Sequence, residues 1–126
     1  MARFERKALN YESRPMTDHP IHELDDDVHQ RVRLGILASL LGLSRADFAL
    51  LKRELALTDG NLGRHLAVLQ EAGLVKLTRE ARGGRPRTWV AITAQGKKAL
   101  RKEINALREI MARIESAESA VSIEIK

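Results

Sequence analysis

The sequence predicts a mainly α chain (α+β) carrying one small β-hairpin and ending in a long helix, on three observations. Between Val28 and Ala72, three short segments with helical apolar spacing follow one another, each with its own boundary signals. Two extended runs, LVKLTR and RTWVAI, then flank EARGGRP, a stretch with the two glycines and the proline of an open hairpin loop. Beyond Thr93, Leu100, Ile104, Leu107, Met111 and Ile114 recur at spacings of four, three, four and three, the seam of one continuous helix.

Residues 1–20 mix charges with Pro15 and Pro20 and hold no period, which predicts a flexible N-terminal arm. Val32, Leu34, Ile36, Leu37, Leu40 and Leu41 form the first core helix, closing at Gly42, with Asp25 to Asp27 ahead of it where carboxylates suit a helix N-terminus. Asp47 precedes FALLKREL as the cap of a second helix that turns Phe48, Leu51 and Leu55 inward. Thr58 caps a third helix and Gly73 stands where a left-handed C-terminal cap belongs. Leu62, Leu66 and Leu69 share the buried face of that helix. Gly60, Arg64 and Ala67 point away from it, with Asn61 and Gly63 on the flanks. Thr93 then caps the last helix. Helix, turn and helix followed by a hairpin with a basic loop is the order of a winged helix-turn-helix, here spanning residues 21–93 with a dimerisation helix and tail at 94–126.

With 126 residues, 44% hydrophobic and 31% charged, the chain suits one compact core. The absence of cysteine excludes disulfides, thiolate metal sites and cysteine nucleophiles. The N-terminus has no apolar targeting core and no window suits a bilayer, so the expectation is a cytoplasmic protein with no membrane partner. No paired acids, serine–histidine arrangement or phosphate-cradling loop stands at motif spacing, so no enzyme and no cofactor are expected. A formal charge of +5 favours a polyanionic partner, and its distribution is informative. Leu74 to Lys102 holds nine basic residues against one acid, Glu80, so the excess lies on and beside the hairpin.

LTDGNLGRHLAVLQEAGLV followed by GGRPRTWVAITAQGKKAL resembles the small, single-domain MarR/ArsR-like winged-helix transcriptional regulators, over about residues 28–100. The resemblance implies that the helix matching Asp59 to Ala72 enters the major groove of double-stranded DNA. It implies too that the loop matching Glu80 to Arg87 is a wing touching backbone or minor groove, and that the chain is a homodimer. Gly60 and Gly63 depart from the family pattern, standing where relatives often carry polar side chains.

The candidate DNA-binding residues are Thr58, Asp59, Gly60, Asn61, Gly63, Arg64, His65, Arg82, Arg85 and Arg87. Interior glycines each cost about 0.5–1 kcal/mol relative to alanine, so Gly60 and Gly63 call for close packing, close approach of a ligand, or a place in a frayed first turn. Arg64 and Asn61 are the outward groups of the third helix suited to bidentate base contacts, Arg to guanine and Asn to adenine, with phosphate as the other partner for either. His65 packs or bonds phosphate. Arg85 and Arg87 flank Pro86, which stiffens the loop that presents them.

Two further groups have competing readings. His22, Glu23, Asp25 and His29 offer metal-ligand chemistry, against which stands an acidic cap with solvated histidines; no metal is expected, since nothing fixes a closed set. Leu100, Ile104, Leu107, Met111 and Ile114 pack either on their own domain or, as the length of the seam suggests, on a second subunit. The expectation is a homodimeric, sequence-specific DNA-binding regulator, a repressor by occlusion. The alternative is a winged-helix protein-interaction module that does not touch DNA. Operator and any small-molecule effector are not legible.

Overall fold

Among the described residues, each of the four helices begins where a side chain meets its exposed amides. The computed structural model describes residues 18–125; residues 1–17 of the expected arm, Lys126, and the side chains of Arg82 and of residues 122–125 lie outside that description. A 3-10 turn at Pro20–Glu23 precedes α1 (Arg31–Leu41), β1 (Ala46–Asp47), α2 (Phe48–Glu54), α3 (Asp59–Glu71), β2 (Val75–Glu80), β3 (Arg87–Ile92) and α4 (Ala94–Ile125). Asp47 accepts from Leu50 N at 3.1 Å, Thr58 from Asn61 N at 3.1 Å and Thr93 from Gly96 N at 2.9 Å, the three caps the sequence predicts. The cap of α1 is instead Gln30, which accepts from Arg33 N at 2.9 Å. Asp25 lies too far upstream and caps its own turn, accepting from Asp27 N at 2.8 Å.

Gly73 ends α3 with φ of 79°, a conformation that glycine adopts without the steric penalty of a Cβ. Gly42 does not do the same for α1: its φ is −88° and the helix stops without a left-handed residue. Leu41, expected in the core, is 48% exposed, because the helix face turns outward over its last residue.

The hairpin is one part of a three-stranded antiparallel sheet of order β1-β3-β2. β2 and β3 pair from Val75↔Ile92 out to Glu80↔Arg87, while β1 adds only Ala46↔Val90 and Asp47↔Trp89. A two-residue strand has no period to read, so the sequence shows only the cap that Asp47 also provides. Ala46 and Val90 face inward onto Ile36, Leu37 and Leu40 of α1, Leu51 of α2 and Leu62, Leu66 and Leu69 of α3.

α4 docks through a very close approach. A Cβ on Gly96 would lie 2.1 Å from the carbonyl oxygen of Leu74, so only glycine lets the first turn of α4 rest on the entry to β2. Thr93 secures the contact, donating its hydroxyl to Gly73 O at 2.7 Å and its amide to Leu74 O at 3.0 Å. Further along α4, Leu100, Glu103 and Ala106 are buried and Ile104 packs against the core, after which residues 111–121 are all exposed. Glu103 is 0% exposed, and both its oxygens are engaged: Oε1 accepts from Asp25 N at 3.1 Å and Oε2 meets His29 Nδ1 at 2.6 Å. His29 is thus bonded to a buried carboxylate while its ring stays half exposed, so it is solvated as expected but also anchored, a partner the sequence reading of this cluster did not include. Among the described residues, no group of three or more histidines and acids could hold a metal ion.

Candidate nucleic-acid interface

α3 presents the groups expected of it. Leu62, Leu66 and Leu69 are buried, which leaves Gly60, Asn61, Arg64 and Ala67 exposed and Gly63 and His65 half-buried on the flanks. The Arg64 guanidinium donates to Asn61 Oδ1 at 3.3 Å, one helical turn away. A bidentate contact from Asn61 to adenine needs that same oxygen, so base engagement has to release Arg64 from it. Asp59 is held in the first turn by Lys52 of α2, Nζ to Oδ1 3.0 Å, where a carboxylate also complements the helix dipole. The Thr58 hydroxyl is committed as acceptor to the cap and keeps its proton to donate outward.

The two glycines have no packing reason within the described chain. A Cβ added at Gly60 or at Gly63 would meet nothing within 4 Å. Their positions nevertheless differ. Gly60 is the second residue of α3 on the outer face, whereas Gly63 borders a recess of 360 Å³ shared with Phe48, Leu66, Leu77, Arg79 and Thr88.

His65 is turned to its neighbours. Its Nδ1 lies 3.1 Å from the Arg33 guanidinium, which also donates to the carbonyls of Asp27 at 2.6 Å and Asp26 at 3.2 Å. Burial, followed by the positive charges of Arg33 and Arg64, pushes the His65 pKa below its ordinary value and favours the neutral ring that accepts from Arg33. Arg33 thus ties the turn before α1 to the outward helix. It sits in an apolar-periodic segment, and its spacing gives no sign of the link.

The loop between β2 and β3 reverses through a short 3-10 turn at Arg82–Gly84, with Gly83 at φ 71° and Gly84 at φ 83°. Arg85 and Arg87 are exposed at its exit, and the side chain of Arg82 lies outside the described residues. Arg87 stands 3.8 Å from Asp47 Oδ2 through its Nε. At the base of the loop is a cluster that no motif or spacing announces. Arg45 stacks 3.8 Å from the Trp89 ring centroid and donates to Glu80 Oε1 at 2.9 Å, and Trp89 Nε1 donates to Glu80 Oε2 at 3.1 Å. The Arg45 bond, opposed in part by desolvation, holds the Glu80 pKa below the ordinary carboxylate value, so Glu80 is ionised at neutral pH.

The C-terminal seam divides. Leu100 is 2% exposed inside its own domain, which leaves it no surface for a second subunit, and Ile104 packs against the same core. Leu107 is half-buried, while Met111 at 56%, Ile114 at 53% and Val121 at 53% stand exposed along one face.

Residues 32–111 match the family model described as a winged helix DNA-binding domain. An uncharacterised protein of Methanocaldococcus jannaschii is 40% identical over 84 residues, 67% of this chain and 91% of that protein. Among solved structures, a transcriptional regulator homologue from Pyrococcus horikoshii is similar with a TM-score of 0.71 and 33% identity, over 75% of this chain and 96% of the other. The Mycobacterium tuberculosis regulator MosR, whose structure is of a complex with DNA, shares the fold at a TM-score of 0.59 and 19% identity, over 91% of this chain and 80% of its own. These two neighbours are thus a transcriptional regulator homologue and a transcriptional regulator. The helix-turn-helix, its three-stranded wing and a family match across more than half of the chain place this protein in the winged helix DNA-binding domain family.

Proposed function

We propose that this chain is a sequence-specific, homodimeric transcriptional regulator of the cytoplasm that binds double-stranded DNA and represses by occluding it. The observation that carries the reading is the exposed Asn61–Arg64 pair on the outer face of α3, in a chain whose basic excess is concentrated on and beside the wing. In this mechanism α3 lies in the major groove, where Asn61 and Arg64 read base edges once they release each other. Gly60 lets the helix backbone approach closely, and Thr58 donates to phosphate. Arg85 and Arg87 grip flanking backbone or minor groove. A second copy of the chain covers Leu107, Met111 and Ile114, because a 32-residue helix extends well past its own core and leaves Met111 and Ile114 in water and Leu107 half-buried. Paired α3 helices would then meet half-sites about 34 Å apart.

Titration of cognate and random duplex at several salt concentrations tests the division of labour. Arg85→Ala with Arg87→Ala lowers affinity on every sequence and flattens the salt slope by about 0.9 for each phosphate that is no longer neutralised. Asn61→Ala and Arg64→Ala each cost roughly 1–3 kcal/mol on the preferred site and less on random duplex. A wild-type protein that binds no duplex at any salt concentration refutes the reading and leaves the protein-interaction module in its place.

A further inference from the structure

We propose that Arg45, Trp89 and Glu80 form a lock that sets the direction of the wing, with Glu80 as its positioning residue; the role in binding rests on the DNA-binding reading above. β1 supports β3 only at Val90 and Trp89. The outer rungs, Arg79↔Thr88 and Glu80↔Arg87, are thus a two-stranded ribbon with no third strand beside it among the described residues. Ribbons of this kind twist and bend readily, so the loop they carry has no fixed direction unless something ties it back.

Glu80 provides that tie. Residues opposed across an antiparallel pair share a face, so Glu80, Arg87, Trp89 and Asp47 all lie on the side of the sheet opposite Val90 and Ala46, which are buried in the core. On that outer face the Arg45 guanidinium reaches from just before β1 to the last rung of β2, lying over the Trp89 ring on its way. The planar fork suits both contacts, and the second carboxylate oxygen takes the indole N–H. The lock therefore ties the residue before β1 to both strands of the hairpin, with both Glu80 oxygens engaged.

The charge pattern gives the same assignment independently. Glu80 is the single acid between Leu74 and Lys102, among nine basic residues, at the last rung before the loop. A surface that only attracts phosphate has no use for a carboxylate there, since it repels the ligand. A carboxylate neutralised by Arg45 and holding the ribbon in place accounts for it.

The sign of one substitution tests this. Were Glu80 a solvated acid, Glu80→Gln would remove repulsion and tighten binding to every duplex, most at low salt. As a positioning residue, Glu80→Gln weakens binding about two- to fivefold at about 0.15 M salt. Trp89→Phe, which keeps the ring under Arg45 but removes the donor, weakens it in the same direction. Trp89 is the one tryptophan of the chain, so its emission and anisotropy in the DNA-free protein read the lock directly. Both change in Glu80→Gln while the far-UV unfolding midpoint stays near wild type. Tighter binding by Glu80→Gln, or unchanged tryptophan signals, overturns the proposal. Failure of the DNA-binding reading is distinguishable, because wild-type protein then binds no duplex whatever the tryptophan reports.

Discussion

Substituting both glycines of α3 with alanine should move stability and DNA binding in opposite directions. Neither Gly60 nor Gly63 has a positive φ, and an added Cβ at either meets nothing within 4 Å, so the free protein accommodates both methyl groups without strain. Gly63 is the fifth residue of α3, fully inside the helix, where Gly→Ala is worth about 0.5–1 kcal/mol through the lower entropy of the unfolded chain. Gly60, the second residue, lies in the first turn and adds a few tenths more. The sum of about 1 kcal/mol raises the melting temperature by about 4 °C for a chain of this size. In the proposed complex a methyl on Gly60 would lie between the helix backbone and the groove it approaches, and overpacking of a fitted surface costs roughly 1–3 kcal/mol. Thermal unfolding and duplex titration of Gly60→Ala, Gly63→Ala and the double variant give both quantities, with the larger drop in affinity expected for Gly60→Ala. If stability rises and binding is untouched, the glycines are merely tolerated and the close-approach argument is wrong. If stability falls, the geometry of α3 itself is wrong.

Three other outcomes follow from the packing. Glu103→Ala strands the Asp25 amide and His29 and should cost about 2–4 kcal/mol, whereas Glu103→Gln retains an acceptor for Asp25 N and a polar partner for His29 and should cost clearly less; urea unfolding at one fixed protein concentration compares them, and equally small losses would show that the pair contributes little. Met111→Asp with Ile114→Asp changes residues that are exposed in the single chain, so light scattering should show monomers while helicity and the unfolding of the domain core persist; an unchanged dimer would place the interface elsewhere. His65 binds its proton more weakly in the folded than in the unfolded chain, so its contribution is fully present above pH 6.5 and is lost as pH falls from there through the lower folded value. The difference in unfolding midpoint between wild type and His65→Gln should therefore change with pH only below about 6.5, and a difference constant down to pH 5 would refute the lowering of its pKa by burial and by the Arg33 and Arg64 charges.

Local chemistry was legible because it acts over three or four residues. Thr58, Asp47 and Thr93 cap because a hydroxyl or carboxylate can reach amides two or three positions on, and Leu62, Leu66 and Leu69 share a face because of the helical period. The hairpin, the glycine at φ 79° ending α3 and the outward placement of Asn61 and Arg64 are of the same kind. What tertiary structure alone decided depends on residues distant in the chain. Glu103 meets His29 across 74 positions and Arg45 meets Glu80 across 35, and charged residues carry no period that would announce a partner. Gly96 reads as an ordinary first-turn glycine until Leu74 O is found against it. β1 is two residues long, too short for any pattern. The seam of α4 is the clearest division: its period identifies the apolar face, but only the folded chain determines that Leu100 and Ile104 meet their own core and that Met111 and Ile114 are left in water, because periodicity records which side of a helix is apolar and not what comes to lie against it.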